Sequence, residues 1–572
     1  MTYHQLIVVG GGLAGLRAAI AAKAAGVDVA ILSQVHPGRS LSGAAQGGVN
    51  GALANHPEAA DDSPQKHAFD TVKGSDYLAD QPAALQMTTD AVPAIYELEH
   101  MGCPFSRFDD GRIAQRPFGG AGYPRTCYGA DKTGHYMLHT LVEQAYKHEI
   151  TMYIEWFVMS LIVEDGECRG VVAYDMTKGG FEEFRGEAVI MATGGAGRTY
   201  SNTTNAIIST GGGAAMAYRA GVPLKDMEFV QFHPTGLYTT HILMTEGCRG
   251  EGGYLVNGEG ERFMKRYAPS VMELAPRDIT SRAIQQEVDA GRGIGGKDFV
   301  YLDLRHLGAE KIAERLPGIR DLSIHFEGVD PVYEPIPIQP CQHYSMGGID
   351  TDVDGKTLLP GLYAAGECAC VSVHGANRLG GNSLLETIVF GRRAGTAVVD
   401  FIQGKSGGGK AAAEAAAGSA AARLQEHIDD VARREGSEDA YAIRTEMTVT
   451  MRYHFGIYRD KSTMQEGLDK LLALKERLKK AKLRHTGGVW NLDMIRTTEL
   501  EGMLEVALAT ASGALARTES RGSHARTDFE TRDDANWLKH TLWYREGNRL
   551  DYKPVNLKPL SVEAFPPKAR TY

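Results

Sequence analysis

The chain opens with two short apolar runs on either side of a glycine-rich turn and an alanine-rich segment. Residues 5–9 and 27–33 have the length and composition of buried strands, and residues 15 to about 25 are typical of a helix. A strand–helix–strand unit of this kind places its strands parallel in one sheet. The N-terminal pattern therefore predicts an α/β fold of the Rossmann type.

Two later segments repeat the pattern of an apolar strand that ends at a glycine. Residues 189–193 run into Gly194 and Gly195, and residues 362–365 run into Gly366. Both predict strands of the same sheet, although they lie far apart in sequence. The stretch 237–340, rich in charged and aromatic residues, is then an inserted α+β domain that caps the sheet, as mobile caps do in many enzymes.

Helical patterns dominate the remainder of the chain. Residues 404–422 combine a Gly- and Ser-rich run with an alanine run, which predicts a linker leading into helix. Ser462 and Gln465 form a capping-box pattern before leucines at helical spacing, and a second helical stretch covers about 498–517. The sequence predicts a discontinuous Rossmann-like domain, a capping domain, a linker, a helical domain and a C-terminal tail domain (1–236 with 341–403, 237–340, 404–422, 423–540 and 541–572).

The glycines of the first turn have the spacing of a dinucleotide-binding fingerprint. Gly10, Gly12 and Gly15 follow a predicted strand and open a predicted helix, so their backbone can approach a pyrophosphate at the positive helix end. Ser33 occupies the end of the second strand, where an acidic residue usually binds ribose. Ser33 either hydrogen-bonds to the adenosine part of the cofactor or is a plain turn residue, and both interpretations stay open.

Composition narrows the class of protein. With 43% hydrophobic residues, 23% charged residues and a formal net charge of −10, the chain is typical of a globular protein and lacks the basic surface of a nucleic-acid-binding protein. Its 7 cysteines include no CxxC pair, which indicates reduced thiols and neither a metal site nor an iron–sulfur motif. No apolar segment reaches membrane-spanning length, and the short lead before the first strand leaves no room for a targeting peptide.

The segment 39–48, Arg-Ser-Leu-Ser-Gly-Ala-Ala-Gln-Gly-Gly, resembles the flavin segment of the flavoprotein subunits of succinate dehydrogenase and fumarate reductase. Those subunits carry Arg-Ser-His, then small residues and Gln-Gly-Gly. The resemblance implies that FAD is the cofactor of the Rossmann-like domain. It also implies eight further cofactor-binding residues besides the glycine turn and Ser33: Ser40, Leu41, Ser42, Gly47, Gly48, Glu367, Ser383 and Leu384.

Leu41 stands where this family has the histidine that bonds covalently to FAD. Leucine cannot form that bond, and His36 matches no motif histidine and is interpreted as a turn residue. We therefore predict non-covalent FAD. A second departure is Gly212, where the family tends to have an aspartate. Glu367 also has a simpler interpretation, as an exposed acid at a helix N-terminus.

Four separated strings resemble the dicarboxylate site of the same family. They are residues 231–236, 244–252, 276–282, and 343–348 together with 374–380. A dicarboxylate needs fixed cations and donors, and the guanidinium group matches a carboxylate bidentately. By resemblance, the two carboxylates are held by His233, Thr245, His343 and Arg378. By the same resemblance, Arg277 exchanges a proton with the substrate carbon, and Glu246 and Arg249 relay that proton to or from solvent.

Other residues of these strings have simpler interpretations. Asp278 and Arg282 predict a plain ion pair at a helix end, and Glu251 predicts a solvated acid. The string 519–526 predicts a buried polar network beneath the helices. A lone histidine such as His233 is more often a satisfied polar residue than a ligand, but four strings in the family's order favour the functional interpretation.

The resemblance covers nearly the whole chain, including its C-terminal tail. It implies a catalytic subunit that interconverts succinate and fumarate by hydride transfer to or from FAD. It further implies electron transfer to an iron–sulfur subunit, membrane anchor subunits that bind quinone, and a peripheral location on the cytoplasmic face of the cell membrane. No nucleic acid and no metal ion is expected as a ligand.

Three alternatives stay open. L-aspartate oxidase is a non-covalent relative with the same domains, which Leu41 favours and the tail with Arg532-Asp533-Asp534 disfavours. A soluble single-chain fumarate reductase would need an attached electron-donor module. A non-catalytic flavoprotein would have no need of Arg277, Arg378 and both substrate histidines.

Overall fold

The computed structural model describes residues 1–405, 410, 411, 413, 418–559 and 561–571. The predicted linker 404–422 lies in part outside the described residues. The protein has mixed sheets and helices, and the predicted α/β fold is confirmed.

A five-stranded parallel sheet forms the centre of the nucleotide-binding part. Its strands, in spatial order, are Leu362–Ala364, Ala188–Met191, Leu6–Val9, Val29–Ser33 and Thr151–Ile154. All except the last are fully buried, which explains their continuous apolar runs. The two glycine-ended strands predicted from distant segments therefore join one sheet, as expected.

Helices and two small sheets cover the parallel sheet. The long helix Asn382–Gln403 packs against the first helix, Leu13–Ala24. The other helices of this part are Pro64–Gly74, Gln81–His100, Thr133–Lys147 and Gly212–Arg219. One added sheet contains Thr2–Tyr3, Phe181–Arg185, Glu167–Asp175 and Trp156–Glu164, and the other contains Val49–Asn50, Thr126–Cys127 and Gln115–Arg116.

The cap is built on a four-stranded antiparallel sheet. Its strands, in spatial order, are Val230–Leu237, Ile336–Ser345, Val300–Asp303 and Tyr254–Val256. Its helices are Gly247–Gly250, Met264–Tyr267, Arg277–Asp289, Ala309–Arg315 and Pro317–Glu327. The first two strands pair with each other and run across both predicted borders of the cap, so the chain enters and leaves this domain through one continuous pair of strands.

Four long helices follow, of which the first contacts the strands Phe181–Arg185 and Glu167–Asp175 and the last contacts the helix Gly212–Arg219. They are Ser419–Arg433, Ala440–His454, Lys461–Leu478 and Leu492–Ala516, and the short helix Asp534–Trp537 comes after them. The predicted capping box at Ser462 and Gln465 is wrong. The third helix is capped instead by Asp460, whose side chain accepts a hydrogen bond from the Thr463 N–H at 3.0 Å.

The predicted polar network of residues 519–526 is confirmed. Arg517 pairs with Glu228 at 2.8 Å and with Glu519 at 2.9 Å, and Arg521 pairs with Glu519 at 2.7 Å. All four side chains have no exposed surface. A buried charge that lost its partner would be strongly destabilising, so these pairs fix the helical domain against the turn that carries Glu228.

The start of the C-terminal tail completes another sheet. Strands Lys539–Tyr544 and Arg549–Pro554 extend the order Ala369–Cys370, Gly348–Asp350, Leu224–Lys225. His540 lies between two carboxylates of the nucleotide-binding part, 2.6 Å from Asp226 and 3.3 Å from Asp80. The tail is thus integrated into the nucleotide-binding part rather than appended to it.

No helix in the described part of the chain combines the length and the apolar character needed to cross a bilayer. All seven cysteines are buried and unpaired.

Candidate functional site

One large cavity of about 820 Å³ extends from the edge of the parallel sheet to the cap. This volume lies within the range of sites that bind cofactors and drug-sized ligands. Of the predicted cofactor residues, all except Gly15 line it, and so do all four predicted carboxylate-binding residues. Arg277 and Glu246 line it as well, whereas Arg249 lies behind them. The fold therefore brings both predicted sites into one continuous space.

The glycine turn forms one wall of the cavity between the first strand and the first helix. Gly10 has φ +115°, and a Cβ there would lie 2.2 Å from the carbonyl oxygen of Ala192. A Cβ on Gly15 would lie 2.0 Å from the carbonyl oxygen of Gly10. Gly15 is therefore required for the packing of helix against strand, while Gly10 and Gly12 leave the helix N-terminus open to an anionic group.

Leu41 lies on the cavity wall in the short 3₁₀ segment Leu41–Ala44. Its side chain has no nucleophilic atom, so no covalent bond to a flavin can form at this position. His36 is exposed and caps the preceding turn, where its Nδ1 accepts a hydrogen bond from the Gly38 N–H at 3.1 Å. The interpretation of His36 as a turn residue is confirmed.

Glu367 stands in the cavity wall just beyond the strand Leu362–Ala364, where its Oε1 accepts a hydrogen bond from the Ser345 N–H at 3.0 Å. Burial raises the pKa of Glu367 to about 7. The alternative of an exposed helix-end acid is therefore wrong. Ser33 also lines the cavity and is 6% exposed, so it faces the space where the fingerprint places the adenosine part.

Gly212 begins the helix Gly212–Arg219 on the cavity wall. A Cβ at this position would meet only the Thr210 hydroxyl, at 3.7 Å. The backbone conformation and the packing do not require a glycine, so the absence of a side chain here widens the cavity.

Arg277 is the first residue of the helix Arg277–Asp289 and is 6% exposed. Its Nε donates to Glu246 Oε2 at 2.6 Å, and its Nη1 donates to Gln231 Oε1 at 3.1 Å. These two contacts fix the plane of the guanidinium group. They involve Nε and Nη1 and leave out Nη2. The cation of Arg277 is thereby held firmly at the cavity wall.

Glu246 is buried between two arginines. Its Oε1 also accepts a hydrogen bond from the Gly119 N–H at 2.5 Å, and Arg249 Nη2 lies 3.7 Å from Oε2. Burial by itself would raise the pKa of Glu246, but Arg277 and Arg249 hold it below its usual value. A Cβ on Gly119 would lie 2.6 Å from Oε1, so this glycine is needed for the carboxylate to seat.

Two histidines of the cap strands stand together on the cavity wall. The rings of His233 and His343 are 4.9 Å apart. Burial, with Arg277 as the nearest charge, holds the pKa of both rings well below the usual value, so both are neutral. Each neutral ring can donate one hydrogen bond to an anion through one nitrogen while the other nitrogen is held.

The residues that hold these histidines were in part missed from the sequence. Thr204 Oγ1 lies 2.8 Å from His343 Nδ1, and Asn205 Nδ2 donates to the His343 carbonyl at 2.8 Å. Both residues line the cavity, and no signal in the sequence beyond a polar run identified them. The backbone nitrogen and the hydroxyl oxygen of Thr235 each lie 3.2 Å from His233 Nδ1. Thr235 could have been identified from the sequence, because it lies in the string 231–236.

Arg378 is 2% exposed and its guanidinium lies 4.3 Å from the ring centre of Tyr344. Its Nε and Nη2 are buried and have no hydrogen-bond partner among the described residues. Burial and the charge of Arg277 lower the pKa of Arg378 to about 9. Buried donors without partners are costly in a native protein, and Arg378 lines the cavity, so these two nitrogens are available to an anion.

Tyr344 is itself held from behind and was missed as a site residue. Its hydroxyl contacts Glu386, whose carboxylate lies 2.7 Å from His374 Nε2. Glu386 belongs to the helix Asn382–Gln403, and no sequence pattern places it near Arg378. The position of Arg378 thus depends on an aromatic ring fixed by a buried carboxylate.

Two acids of the cap, Asp278 and Glu251, had simple structural interpretations from the sequence, and only the first of these is confirmed. The predicted ion pair of Asp278 and Arg282 is present at 3.2 Å. The interpretation of Glu251 as a solvated acid is wrong, because its side chain is 8% exposed and lies 3.3 Å from Arg315 and 3.7 Å from Arg116. Glu251 of the cap pairs with the buried Arg116 of the strand Gln115–Arg116.

A parallel sheet with a glycine turn, an inserted cap and a shared cavity between them define the class of flavin-dependent oxidoreductases with a capped active site. Residues 5–384 match the FAD binding domain family, and residues 444–572 match the fumarate reductase flavoprotein C-terminal family. The chain belongs to the family of succinate dehydrogenase and fumarate reductase flavoprotein subunits. The predicted type of enzyme, a catalytic flavoprotein subunit that interconverts succinate and fumarate, is confirmed, and L-aspartate oxidase is not favoured.

Similar proteins carry both of these activities in their names. The chain is 47% identical to the succinate dehydrogenase flavoprotein subunit of Coxiella burnetii, over 99% of this chain and 98% of that protein. It is 45% identical to the fumarate reductase flavoprotein subunit of Mycobacterium tuberculosis, over 100% and 99%. A solved structure of a variant of E. coli quinol fumarate reductase matches with a TM-score of 0.94 and 44% identity, over 100% of this chain and 99% of that chain.

Proposed function

We propose that succinate and fumarate are interconverted at the cap end of the cavity, with Arg277 as the residue that exchanges a proton with the substrate. One observation carries this proposal. Arg277 is locked to Glu246 at 2.6 Å while it lines the same cavity as Arg378, whose buried donors lack partners. A dianion placed between these two arginines has a cation at each end.

The substrate carboxylates are assigned to neutral donors and one cation. His233, Thr245 and His343 line the wall near Arg277, and Arg378 supplies a two-nitrogen fork. Because both histidines are neutral, Arg277 and Arg378 are the cations that face the dicarboxylate. A small dicarboxylate is the chemistry that this set recognises.

Oxidation of succinate removes a hydride from one methylene carbon and a proton from the next, and reduction of fumarate adds them back. FAD, when bound, accepts or supplies the hydride. Arg277 takes or gives the proton at the other carbon, and Glu246 then exchanges it with the Arg277 guanidinium. An arginine gives up its proton only to a very basic partner, and a site that excludes water makes such a transfer easier. Arg277 meets this condition, since it is 6% exposed.

The remaining step carries the proton toward solvent. Arg249 Nη2 lies 3.7 Å from Glu246 Oε2, which is longer than a direct hydrogen bond. A small movement of either side chain would bring the two groups into hydrogen-bond contact. Because Arg249 adjoins Glu246 and does not line the cavity, it is assigned to the relay and not to contact with the substrate.

The flavin absorbance tests the proposed reaction. We expect succinate to bleach the oxidised flavin of the purified enzyme, and fumarate to restore the absorbance after chemical reduction. L-aspartate is expected to leave the spectrum unchanged, because its ammonium group would face the cations of the cavity. Bleaching by aspartate and not by succinate would contradict the proposal, and a flavin that responds to neither would indicate a non-catalytic flavoprotein.

The residues present fit FAD held without a covalent bond. The cavity is open at the helix N-terminus beside Gly12. The carboxylate of Glu367 can accept hydrogen bonds from the hydroxyl groups of a ribityl or ribose chain. Leu41, within the flavin segment, has no reactive atom. The absence of a covalent link should lower the flavin potential, because the link withdraws electron density. This favours fumarate reduction as the physiological direction.

Acid precipitation tests the mode of attachment. We expect the yellow colour to stay in the supernatant for the natural protein, since Leu41 offers no atom for a bond. A Leu41→His variant, incubated under conditions in which flavoprotein subunits acquire covalent flavin, is the matched comparison and should retain colour in the pellet. Colour in the pellet of the natural protein would mean that another residue carries the flavin.

Electrons leave the flavin through partner chains in this proposal. The relatives are named as subunits, and no group of three or more metal-ligand residues occurs in the described part of the chain. We therefore assign electron transfer to an iron–sulfur subunit and, through it, to quinone-binding anchor subunits at the cytoplasmic face of the membrane. Purification of the native protein alone, with unaided reduction of quinone, would contradict this assignment.

A further inference from the structure

An ion-pair cluster lies at the base of the helix Arg277–Asp289, and we name it the tail clasp (Asp76, Asp278, Arg282, Arg532 and Arg570). Arg570 belongs to the C-terminal tail and its side chain is 8% exposed. Its Nη2 lies 2.6 Å from Asp278, and its Nε lies 3.2 Å from Asp76. Asp278 belongs to the cap and Asp76 to the nucleotide-binding part, so one guanidinium group connects the two parts.

Each carboxylate of the tail clasp has a second arginine. Arg282 lies 3.2 Å from Asp278, and Arg532 lies 2.7 Å from Asp76. Burial alone would raise the pKa of both carboxyl groups, but Arg570 and these partners hold both pKa values below the usual range. The tail clasp is therefore an arrangement of fixed opposite charges in a buried place, where such contacts are directional and costly to break.

The backbone at Asp76 is held in an unfavourable conformation. Asp76 has φ 55° and Tyr77 has φ 61°, both in the left-handed region that residues with a Cβ rarely adopt. Hydrogen bonds from the Gly522 N–H to Asp76 Oδ2 at 2.8 Å and from Arg521 to the Asp76 carbonyl at 2.9 Å maintain it. Strain of this kind persists only where the surroundings over-determine it, and it concentrates near functional sites.

The tail reaches Arg570 along a fixed path. Gln81 exchanges two hydrogen bonds with the backbone of Phe565, at 2.7 and 2.9 Å, and Arg532 donates to the Lys568 carbonyl at 3.0 Å. The rings of Phe565 and Phe69 pack edge to face, 5.5 Å apart. These contacts bring Arg570 to the helix with a defined direction.

We propose that Arg570 is a positioning residue for the reaction. By tying Asp278 to Asp76, Arg570 fixes the first turn of the Arg277 helix relative to the cofactor-binding sheet. Arg277 and Asp278 are the first two residues of that helix, so a shift of one moves the other. The inference rests on the proposed role of Arg277. A misplacement of about 1 Å at a reacting group is enough to lower a rate about 10²-fold.

The test compares Arg570→Gln with the natural protein, both as FAD-loaded enzyme in its native complex. We expect kcat for succinate with an artificial electron acceptor to fall by roughly 10- to 100-fold. The Kd of malonate, measured from the flavin difference spectrum, should change by less than about threefold, since His233, His343 and Arg378 are untouched. The kinetic isotope effect with deuterated succinate should rise, because transfer from substrate becomes slower than the other steps. Arg570→Lys should restore part of kcat, since a point charge can reach only one carboxylate at a time.

Arg526→Gln is the matched control for loss of a buried arginine. Arg526 pairs with Asp528 at 2.6 Å in the helical domain and does not line the cavity. It should lower the melting temperature while leaving kcat and the isotope effect unchanged. If Arg570→Gln behaves like this control, the positioning role is overturned.

Asp278→Asn keeps the inference testable if Arg570→Gln does not fold. It removes the charge with little change of shape and should by itself lower kcat by roughly 10- to 100-fold. Where Arg570→Gln does fold, the double variant should lose little more than either single variant, because the two residues act through one contact. Additive losses would contradict the proposal.

An Arg277→Gln variant distinguishes failure of the proposed function from failure of the positioning role of Arg570. If Arg277→Gln stays active, the proposed function fails. If it is inactive while Arg570→Gln keeps full kcat, only the present inference fails.

Discussion

An Arg277→Gln variant is expected to lose about 10²- to 10⁴-fold of kcat, the contribution typical of a positioned general acid or base. Glutamine retains a planar amide that can still meet Glu246, but it has no proton to exchange with a substrate carbon. The loss should be the same for succinate oxidation and fumarate reduction, since the equilibrium constant between them is unchanged by the enzyme. Stopped-flow measurement of flavin reduction by succinate and of flavin reoxidation by fumarate gives both rates.

Arg266→Gln is the control for this variant. Arg266 is a cap arginine that pairs with Glu287 at 2.8 Å, lies 41% exposed and does not line the cavity. Its replacement should leave both rates within about twofold, as substitutions outside functional contacts usually do. If Arg277→Gln keeps more than a tenth of the rate with the flavin fully bound, Arg277 is not the residue that exchanges a proton with the substrate.

An Arg378→Gln variant is expected to weaken binding of the dicarboxylate by about 10²- to 10⁴-fold. Two charge-assisted hydrogen bonds from Nε and Nη2 contribute about 1.5–3 kcal/mol each, and both nitrogens are now without partners. The effect should appear in the KM for succinate and in the Kd for malonate. The natural protein should also bind succinate far better than its monoamide, and the variant should lose most of that preference.

The pKa of about 9 for Arg378 gives this prediction a pH dependence. The cation is the binding form, so kcat/KM for succinate in the natural protein should decline as the pH rises through about 9. The same decline should be absent from Arg378→Gln, which has no proton to lose. Arg219→Gln, at an arginine that lines the same cavity but pairs with Glu505 at 2.8 Å, should keep both the affinity and the alkaline decline. An alkaline decline that survives in Arg378→Gln would point to another group.

Much of the fold was predictable because it depends on local patterns. Apolar runs ending at Gly10, Gly194 and Gly366 identified three neighbouring strands of one sheet, since strands buried on both faces must be continuously apolar. The helix capped by Asp460 was misplaced by a few residues, because Ser462 offers the same local signal and only the packed structure selects between them. Residues 230–236 were predicted to belong to the Rossmann-like domain, but they pair in the cap sheet. Their strand partners lie about a hundred residues later in the chain, and local patterns do not reveal such long-range pairings.

The site was predictable where one string supplies several of its members. The strings around His233, Glu246 and Arg378 carried family resemblance, and the fold brings them together in one cavity. Thr204 and Glu386 had no such signal, because each acts by holding another side chain through a long-range contact. Tyr344 lies in the string 343–348, but only the fold shows that its ring supports Arg378. Glu251 was misjudged for the same reason. Its burial comes from Arg116 and Arg315, which are distant in sequence.

The strand Lys539–Tyr544 and Arg570 of the tail clasp are made after about 540 other residues. At typical elongation rates of roughly 5–20 residues per second, the cap and the parallel sheet, which end by residue 364, are made about 10 to 40 seconds before these last pieces. During that interval the nascent chain holds an unclosed sheet edge at Leu224–Lys225 and a loosely tethered Arg277 helix. The Arg277 helix therefore gains its tie to the nucleotide-binding part only when synthesis of the chain reaches Arg570.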